Sequence, residues 1–110
     1  MADDGWTPVT SLDELDDGRP TRVDLDGLAI LLLRTGDRVF AIGNRCSHQG
    51  APLDRGAVRI AGSEATITCP AHGSMFRFAD GKVLRPPARE PVPTFDVRVR
   101  EGAVELRSST

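Results

Sequence analysis

Apolar and polar residues alternate along this chain in short stretches, and Gly and Pro cut the stretches apart at close intervals. TRVDL (Thr21–Leu25) alternates. So does FDVRVR (Phe95–Arg100), which places Phe95, Val97 and Val99 on one face. Leu28–Leu33 is instead a continuous apolar run bounded by Gly27 and Gly36, the pattern of a strand buried on both faces. A turn at Thr35–Asp37 leads into a strand over Arg38–Ile42. Ala57–Ile60 and Ala65–Thr68 can pair across Ala61–Glu64, where Gly62 and Ser63 supply turn chemistry. Phe76–Phe78 and Lys82–Leu84 flank Ala79–Asp80–Gly81, and Asp-Gly is a strong hairpin signal. Ala103–Arg107 returns after Glu101–Gly102 as a final hairpin. Helix is confined to one turn within Ser11–Asp17, with Ser11 as N-cap and Glu14 three residues on. Arg85–Pro93 carries Pro86, Pro87, Pro91 and Pro93, so it is expected as a stiff extended loop outside any sheet interior. Trp6 is expected at the base of the first strand, and Phe40 and Phe95 in the core. The pattern predicts an all-β fold built from antiparallel hairpins.

Composition narrows the class without naming a function. A length of 110 residues predicts a single domain over 1–110. The 39% apolar and 27% charged content is ordinary for a soluble globular chain. A net charge of −2 gives no reason to expect nucleic acid. No apolar run reaches bilayer length, so no membrane association is expected. The start, MADDGW, has no apolar stretch of the kind a signal peptide needs, and a cytoplasmic location is expected. Charge is uneven: residues 1–26 carry eight acids against two bases, and residues 27–110 eight acids against twelve bases.

The candidate chemistry sits in two clusters. NRCSHQGAPL holds Cys46 and His48, and CPAHGSMF holds Cys69 and His72. These are all the cysteines and histidines of the chain. The spacing is C-x-H, then twenty residues, then C-x-x-H. A disulfide is disfavoured in a reducing compartment, and thiolate with imidazole is a donor set for zinc or iron–sulfur clusters. Free cysteines are also commonly inert core residues, but the gathering of all four groups argues for a metal. Zinc fingers usually pair Cys with Cys and His with His, the latter on a helix. Here each cluster has one of each on a loop, which suggests two metals with one ligand type apiece. A [2Fe–2S] cluster with two Cys on one iron and two His on the other does this.

With CSHQGAPL, CPAHGSMF, the hairpin signal DGKV and the proline stretch after it, the chain resembles the Rieske proteins, and among them the small Rieske-type ferredoxins. The resemblance covers nearly the whole chain. It implies a sandwich of antiparallel sheets as a base, with a small cluster-binding subdomain at about residues 44–76 and the proline loop, about 85–93, beside it as a cover. It implies one [2Fe–2S] cluster, with Cys46 and Cys69 on the inner iron and His48 and His72 on the outer, reducible iron. The gap between His48 and Cys69 is a little longer than usual in the family, and the Ala57–Thr68 hairpin has room for it. Gly50 and Gly73 are expected to bring backbone N–H groups to the sulfides, Pro52 and Pro70 to stiffen the loops, and Leu53 to shield the site from water, although plain turn chemistry would also account for the glycines.

Two further positions separate this chain from its relatives in respiratory chains. Those carry two more cysteines in a disulfide, where Ala51 and Ala71 stand here, and a tyrosine where Phe76 stands; their serine is kept as Ser74. Hydrogen bonds to cluster sulfur stabilise the reduced state, so the missing hydroxyl at Phe76 is expected to place the potential toward the low end of the Rieske span, roughly −150 to +300 mV. A ligand imidazole keeps one ring proton that reduction helps to retain, so a midpoint flat near neutral pH and falling in alkali is expected.

By resemblance the protein is not an enzyme but a monomeric one-electron carrier between a flavin-dependent ferredoxin reductase and a terminal oxygenase. Two alternatives are a small Rieske-like subunit of a nitrite reductase and a structural zinc module. Arg45 and Arg55 flank the first loop, as plain solvated arginines or as groups that steer an acidic partner.

Overall fold

The computed structural model describes residues 5–108. Met1–Asp4, the stretch on which the expectation about a signal peptide fell, lie outside the described residues. Among the described residues, ten strands form three antiparallel sheets. β1 (Thr7–Ser11), β9 (Phe95–Arg100) and β10 (Ala103–Ser108) make the first, in the order β1-β10-β9. β2 (Pro20–Leu25), β3 (Leu28–Thr35) and β4 (Arg38–Gly43) make the second. β5 (Ala57–Ala61), β6 (Glu64–Thr68), β7 (Met75–Arg77) and β8 (Val83–Arg85) make the third. The all-β class, the sandwich base and the smaller subdomain follow the expectation. One strand was not anticipated: in β1 a single apolar Val9 beside Pro8 leaves no alternation to see, and the pairing to β10 is irregular between Pro8 and Thr10.

The run Leu28–Leu33 explains how two cores coexist. Its alternate residues face opposite ways, so β3 is a shared wall. Ile30 and Leu32 pack with Leu15, Ala41, Val104 and Leu106 inside the base. Leu31 and Leu33 pack with Ile42, Leu53, Ile67, Phe76, Phe78 and both cysteines. Four consecutive fully buried aliphatic residues contribute roughly 2 kcal/mol each through burial. Phe95 and Val97 join the base core, while Val99 at the end of the same face is 40% exposed. Phe40 packs against Phe78 with ring centroids 6.3 Å apart. Trp6 lies half-buried between the guanidiniums of Arg98 and Arg107, which sit 4.6 and 4.4 Å from its ring centre and hold β1 onto its sheet.

Local details refine the sequence reading. The predicted helical turn is a single 3-10 turn at Leu12–Glu14, and Ser11 makes no side-chain cap; the Glu14 carboxylate accepts instead from the Thr10 hydroxyl. Asp26 and Glu101 adopt left-handed φ values of 51° and 52°, and each opens a two-residue hairpin turn. The Asp80–Gly81 turn is longer. Asp80 accepts from the Lys82 backbone N–H at 3.0 Å and from Arg77 at 3.1 Å. That N–H, with Arg77 adding, holds the Asp80 carboxyl below its ordinary value of 3.8 against a small opposing cost of burial. Because the folded value is the lower one, the stability it gives is complete above pH 3.8 and lost as pH falls through the folded value. Asp80→Asn is expected to lower stability at pH 7 by about 0.5 kcal/mol, a figure kept small by exposure. The gap from wild type should close in acid, checked by urea titration at pH 7 and below pH 3.

Candidate metal centre

The site is two loops laid down by the ends of strands. The first loop leaves β4 at Gly43, and the second joins β6 to β7. Both are closed by the same pair of backbone hydrogen bonds. The Cys46 N–H donates to the Ala51 carbonyl at 2.8 Å, and the Gly50 N–H donates to the Cys46 carbonyl at 2.7 Å. In the second, the Cys69 N–H donates to the Ser74 carbonyl at 2.7 Å, and the Gly73 N–H donates to the Cys69 carbonyl at 3.1 Å. Each loop therefore runs from a cysteine to a glycine four residues on, at φ 77° and 83°, where a side chain would be strained. Within this repeated frame the histidine stands two residues after Cys46 and three after Cys69. The N–H groups of Gly50 and Gly73, expected to serve sulfide, each donate to the carbonyl of the cysteine that opens their loop.

The frames turn the donors in opposite senses. Cys46 and Cys69 are 3% and 2% exposed and pack with Leu53, Phe76 and Ala51. His48 and His72 are exposed, with ring centroids 5.3 Å apart and nearly perpendicular planes. Burial pushes the Cys69 thiol up, and the hydrogen-bonded Cys46 thiol beside it adds to this. Backbone N–H groups of Ala71 and His72 pull the other way. N–H donors aimed at a buried sulfur suit a thiolate, and a buried thiolate pair needs a cation to offset its charge. Among the described residues, no three His, Cys, Asp or Glu side chains are gathered to hold one metal ion. The donors come as a buried sulfur pair and an exposed nitrogen pair, the set of ligands that a [2Fe–2S] cluster held by two Cys and two His would take.

Neighbouring residues hold the loops in place. Asn44, buried at the head of the first loop, donates its backbone N–H to Ala29 and its side-chain amide to Asp54 at 2.7 Å, and its carbonyl accepts from Leu53. Sequence reasoning passed over Asn44; its signal was a short amide side chain at a strand-to-loop junction. The proline segment crosses both loops. The Ser47 hydroxyl donates to the Glu90 carbonyl, and the Ala88 N–H donates to the buried Ser74 hydroxyl at 3.0 Å. Val92 donates to Gly81, and Gly43 donates to Pro93. Ala88 and Val92 are buried in the same core as the cysteines, so the segment is a fastened strap, not only a cover. Phe76 is fully buried in that core, and its ring has no polar atom to offer sulfur.

The sequence model of the Rieske [2Fe-2S] domain matches residues 5–96. The 3-phenylpropionate/cinnamic acid dioxygenase ferredoxin subunit of Escherichia coli (strain K12) is 34% identical over 97 residues, 88% of this chain and 85% of that protein. Apoptosis-inducing factor 3 of Mus musculus is 29% identical over 101 residues, 92% of this chain, and the chain spans only 16% of that protein's length. Among solved structures, the ferredoxin of carbazole 1,9a-dioxygenase from Nocardioides aromaticivorans IC177 superposes with a TM-score of 0.87 at 36% identity, covering 94% of this chain and 98% of that one. A chain of the complex of reduced oxygenase and oxidized ferredoxin in carbazole 1,9a-dioxygenase superposes at 0.81 and 30% identity, covering 94% and 93%. A candidate small subunit of NADH-dependent nitrite reductase from Mycobacterium tuberculosis superposes at 0.82 and 34% identity, covering 96% of each chain. With its two loops, its paired donors and a domain match over most of its length, this chain belongs to the Rieske [2Fe-2S] family and carries one [2Fe–2S] cluster.

Proposed function

We propose that this chain is a one-electron carrier in which Cys46 and Cys69 hold the inner iron and His48 and His72 the outer one. The observation that carries this reading is the repeated loop frame, which presents a buried sulfur pair and an exposed imidazole pair. The cluster supplies uptake and release of single electrons. The chain's own residues do the rest. Leu53 and Phe76 pack around the cysteines and keep water from the inner side. The exposed rings of His48 and His72 give electrons a short path to a docked protein. The strap fixes both loops, which limits rearrangement when charge changes. We read the chain as one Rieske domain, monomeric and cytoplasmic, with its cluster-binding part at about 44–76 and its strap at about 85–93. It serves between a flavin-dependent reductase and a terminal oxygenase; the similarity to dioxygenase ferredoxins, and to a chain of an oxygenase–ferredoxin complex, supports the oxygenase side. The test is reconstitution with a flavin-dependent reductase and the terminal oxygenase of a dioxygenase system: product formation is expected to require this chain. Full turnover without it would overturn the reading.

The similarity to the nitrite reductase small subunit supports a second reading, a fixed subunit of a larger enzyme. Co-purification with a large partner in constant ratio would favour that reading over a free carrier.

Hydrogen bonding from Ser74, and its absence at Phe76, sets the potential in this reading. A bond that strengthens by about 1 kcal/mol on reduction moves a one-electron midpoint by roughly 40 mV. Phe76→Tyr is therefore expected to raise the midpoint by about 40 mV in a voltammetric titration. Ser74 accepts from Ala88 and still has its own proton to donate. Ser74→Ala is expected to lower the midpoint and to loosen the strap.

A further inference from the structure

Most arginines away from the two loops are engaged, with Arg59, exposed on β5, as the exception. On the base and its flanks they are engaged: Arg19 with Asp16, Arg22 with Asp24, Arg77 with Glu64 and Asp80, Arg98 with Glu105 and Arg107 with Asp96. Arg34 donates to backbone carbonyls, and Arg38 lies over Phe40. Around the two loops the pattern changes. Arg45, Arg55, Arg85 and Arg89 are all exposed, and none makes an ion pair among the described residues.

Each of the four is tied to the metal centre by position. Arg45 adjoins Cys46, and its guanidinium lies over Gly50, where a Cβ would come within 2.8 Å of it. Arg55 precedes Gly56, whose backbone packs so closely on the Thr68 carbonyl that a Cβ would stand 2.3 Å from it, one residue before Cys69. Arg85 pairs with Met75, next to Ser74. Arg89 lines an open groove of about 370 Å³ with Ser47, His48, Pro87 and Glu90. Of the acids near these residues, Asp54 is engaged by Asn44, and Glu90 lines the groove with Arg89 and His48. Thus four exposed arginines lie on or beside the two loops and the strap in a chain of net charge −2.

We propose that Arg45, Arg55, Arg85 and Arg89 form a basic docking rim around His48 and His72, and that it receives an acidic protein surface surrounding the partner's redox centre. This inference rests on the carrier reading above. Unpaired exposed cations at the electron exit steer an oppositely charged surface and raise its rate of encounter, most strongly at low salt.

Small oxidants of opposite charge read the local field directly. The reduced holoprotein passes one electron to tris(oxalato)cobaltate(III), a trianion, or to tris(phenanthroline)cobalt(III), a trication; cobalt(III) becomes cobalt(II) in both. Stopped-flow rates are measured from ~0.02 to ~0.5 M ionic strength, a range that spans strong and weak screening. The rim predicts that the trianion reacts about tenfold faster at the low end, while the trication reacts more slowly there. The whole-chain charge of −2 predicts the reverse signs, so the wild-type result alone decides. Arg55→Glu with Arg89→Glu, checked for an unchanged visible spectrum, is expected to invert both slopes. A trianion that gains speed with salt overturns the rim. Retention on single-stranded DNA or on phosphatidylglycerol vesicles at ~0.15 M salt overturns its assignment to a protein partner. A colourless protein that passes no electron fails the carrier reading instead, a result separate from either slope.

Discussion

Cys69→Ala is expected to yield a colourless chain that retains neither iron nor sulfide, with the same outcome for Cys46→Ala. The cluster binds the folded chain and not the unfolded one, so its loss removes stability by linkage, on the order of 4 kcal/mol for occupancy a thousandfold above the dissociation constant. The effect exceeds that of deleting a buried thiol as a small apolar group. Cys69 is 2% exposed, and its sulfur is met by the N–H groups of Ala71 and His72, which lose their acceptor with it. His48→Ala and His72→Ala remove exposed groups whose packing loss is small, yet they should cost the outer iron. Iron and sulfide analysis with a denaturant titration separates the cases. Full iron retention by Cys69→Ala would remove it from the ligand set.

Gly81→Ala is expected to destabilise the chain by about 3 kcal/mol, more than any other single methyl group added to a turn. Two costs coincide there. Gly81 has φ 72°, a left-handed value that costs a side chain roughly 1–2 kcal/mol. A Cβ would also stand 2.1 Å from the Val92 carbonyl oxygen, and backbone cannot step aside as a side chain does. Overpacking of that kind adds about 1–3 kcal/mol. The clash falls where Val92 donates to Gly81, so it unfastens the strap from the β7–β8 turn. Gly27→Ala is the control: φ is 82°, but nothing lies within 4 Å, and it should cost only about 1 kcal/mol. Equal losses in urea titrations of the two variants would show that the strap is not packed as described.

The hairpin signal at Asp80–Gly81 was legible, and β7 and β8 do pair antiparallel across it. What no local pattern shows is that the same glycine serves the approach of the strap, in a turn longer than two residues. Asp26–Gly27 and Glu101–Gly102 are the tight turns instead. Strands with one buried face could be read from alternation, and β3 from its unbroken apolar run. β1 could not, because its place comes from pairing with β10 and from Trp6 stacked on Arg98 and Arg107, contacts nearly a hundred residues away in sequence.

The four candidate ligands were legible for a simple reason: the chain has no other Cys or His. The frame that aims them was not, because its hydrogen bonds are made by backbone groups that every residue has. The strap was expected as a loop from its prolines. Its fastenings, Ser47 to Glu90 and Ala88 to Ser74, join residues 43 and 14 positions apart and carry no local pattern. The division of the arginines was hidden for the same reason, since engagement depends on acids brought near by folding.

Cys46, Cys69, His48 and His72 are proposed to hold the [2Fe–2S] cluster within this one chain. Pulsed EPR of the chemically reduced protein tests it most directly. One unpaired spin per chain is expected, with nitrogen couplings from two imidazoles. A spin without nitrogen couplings, or no spin and one zinc per chain, would contradict it.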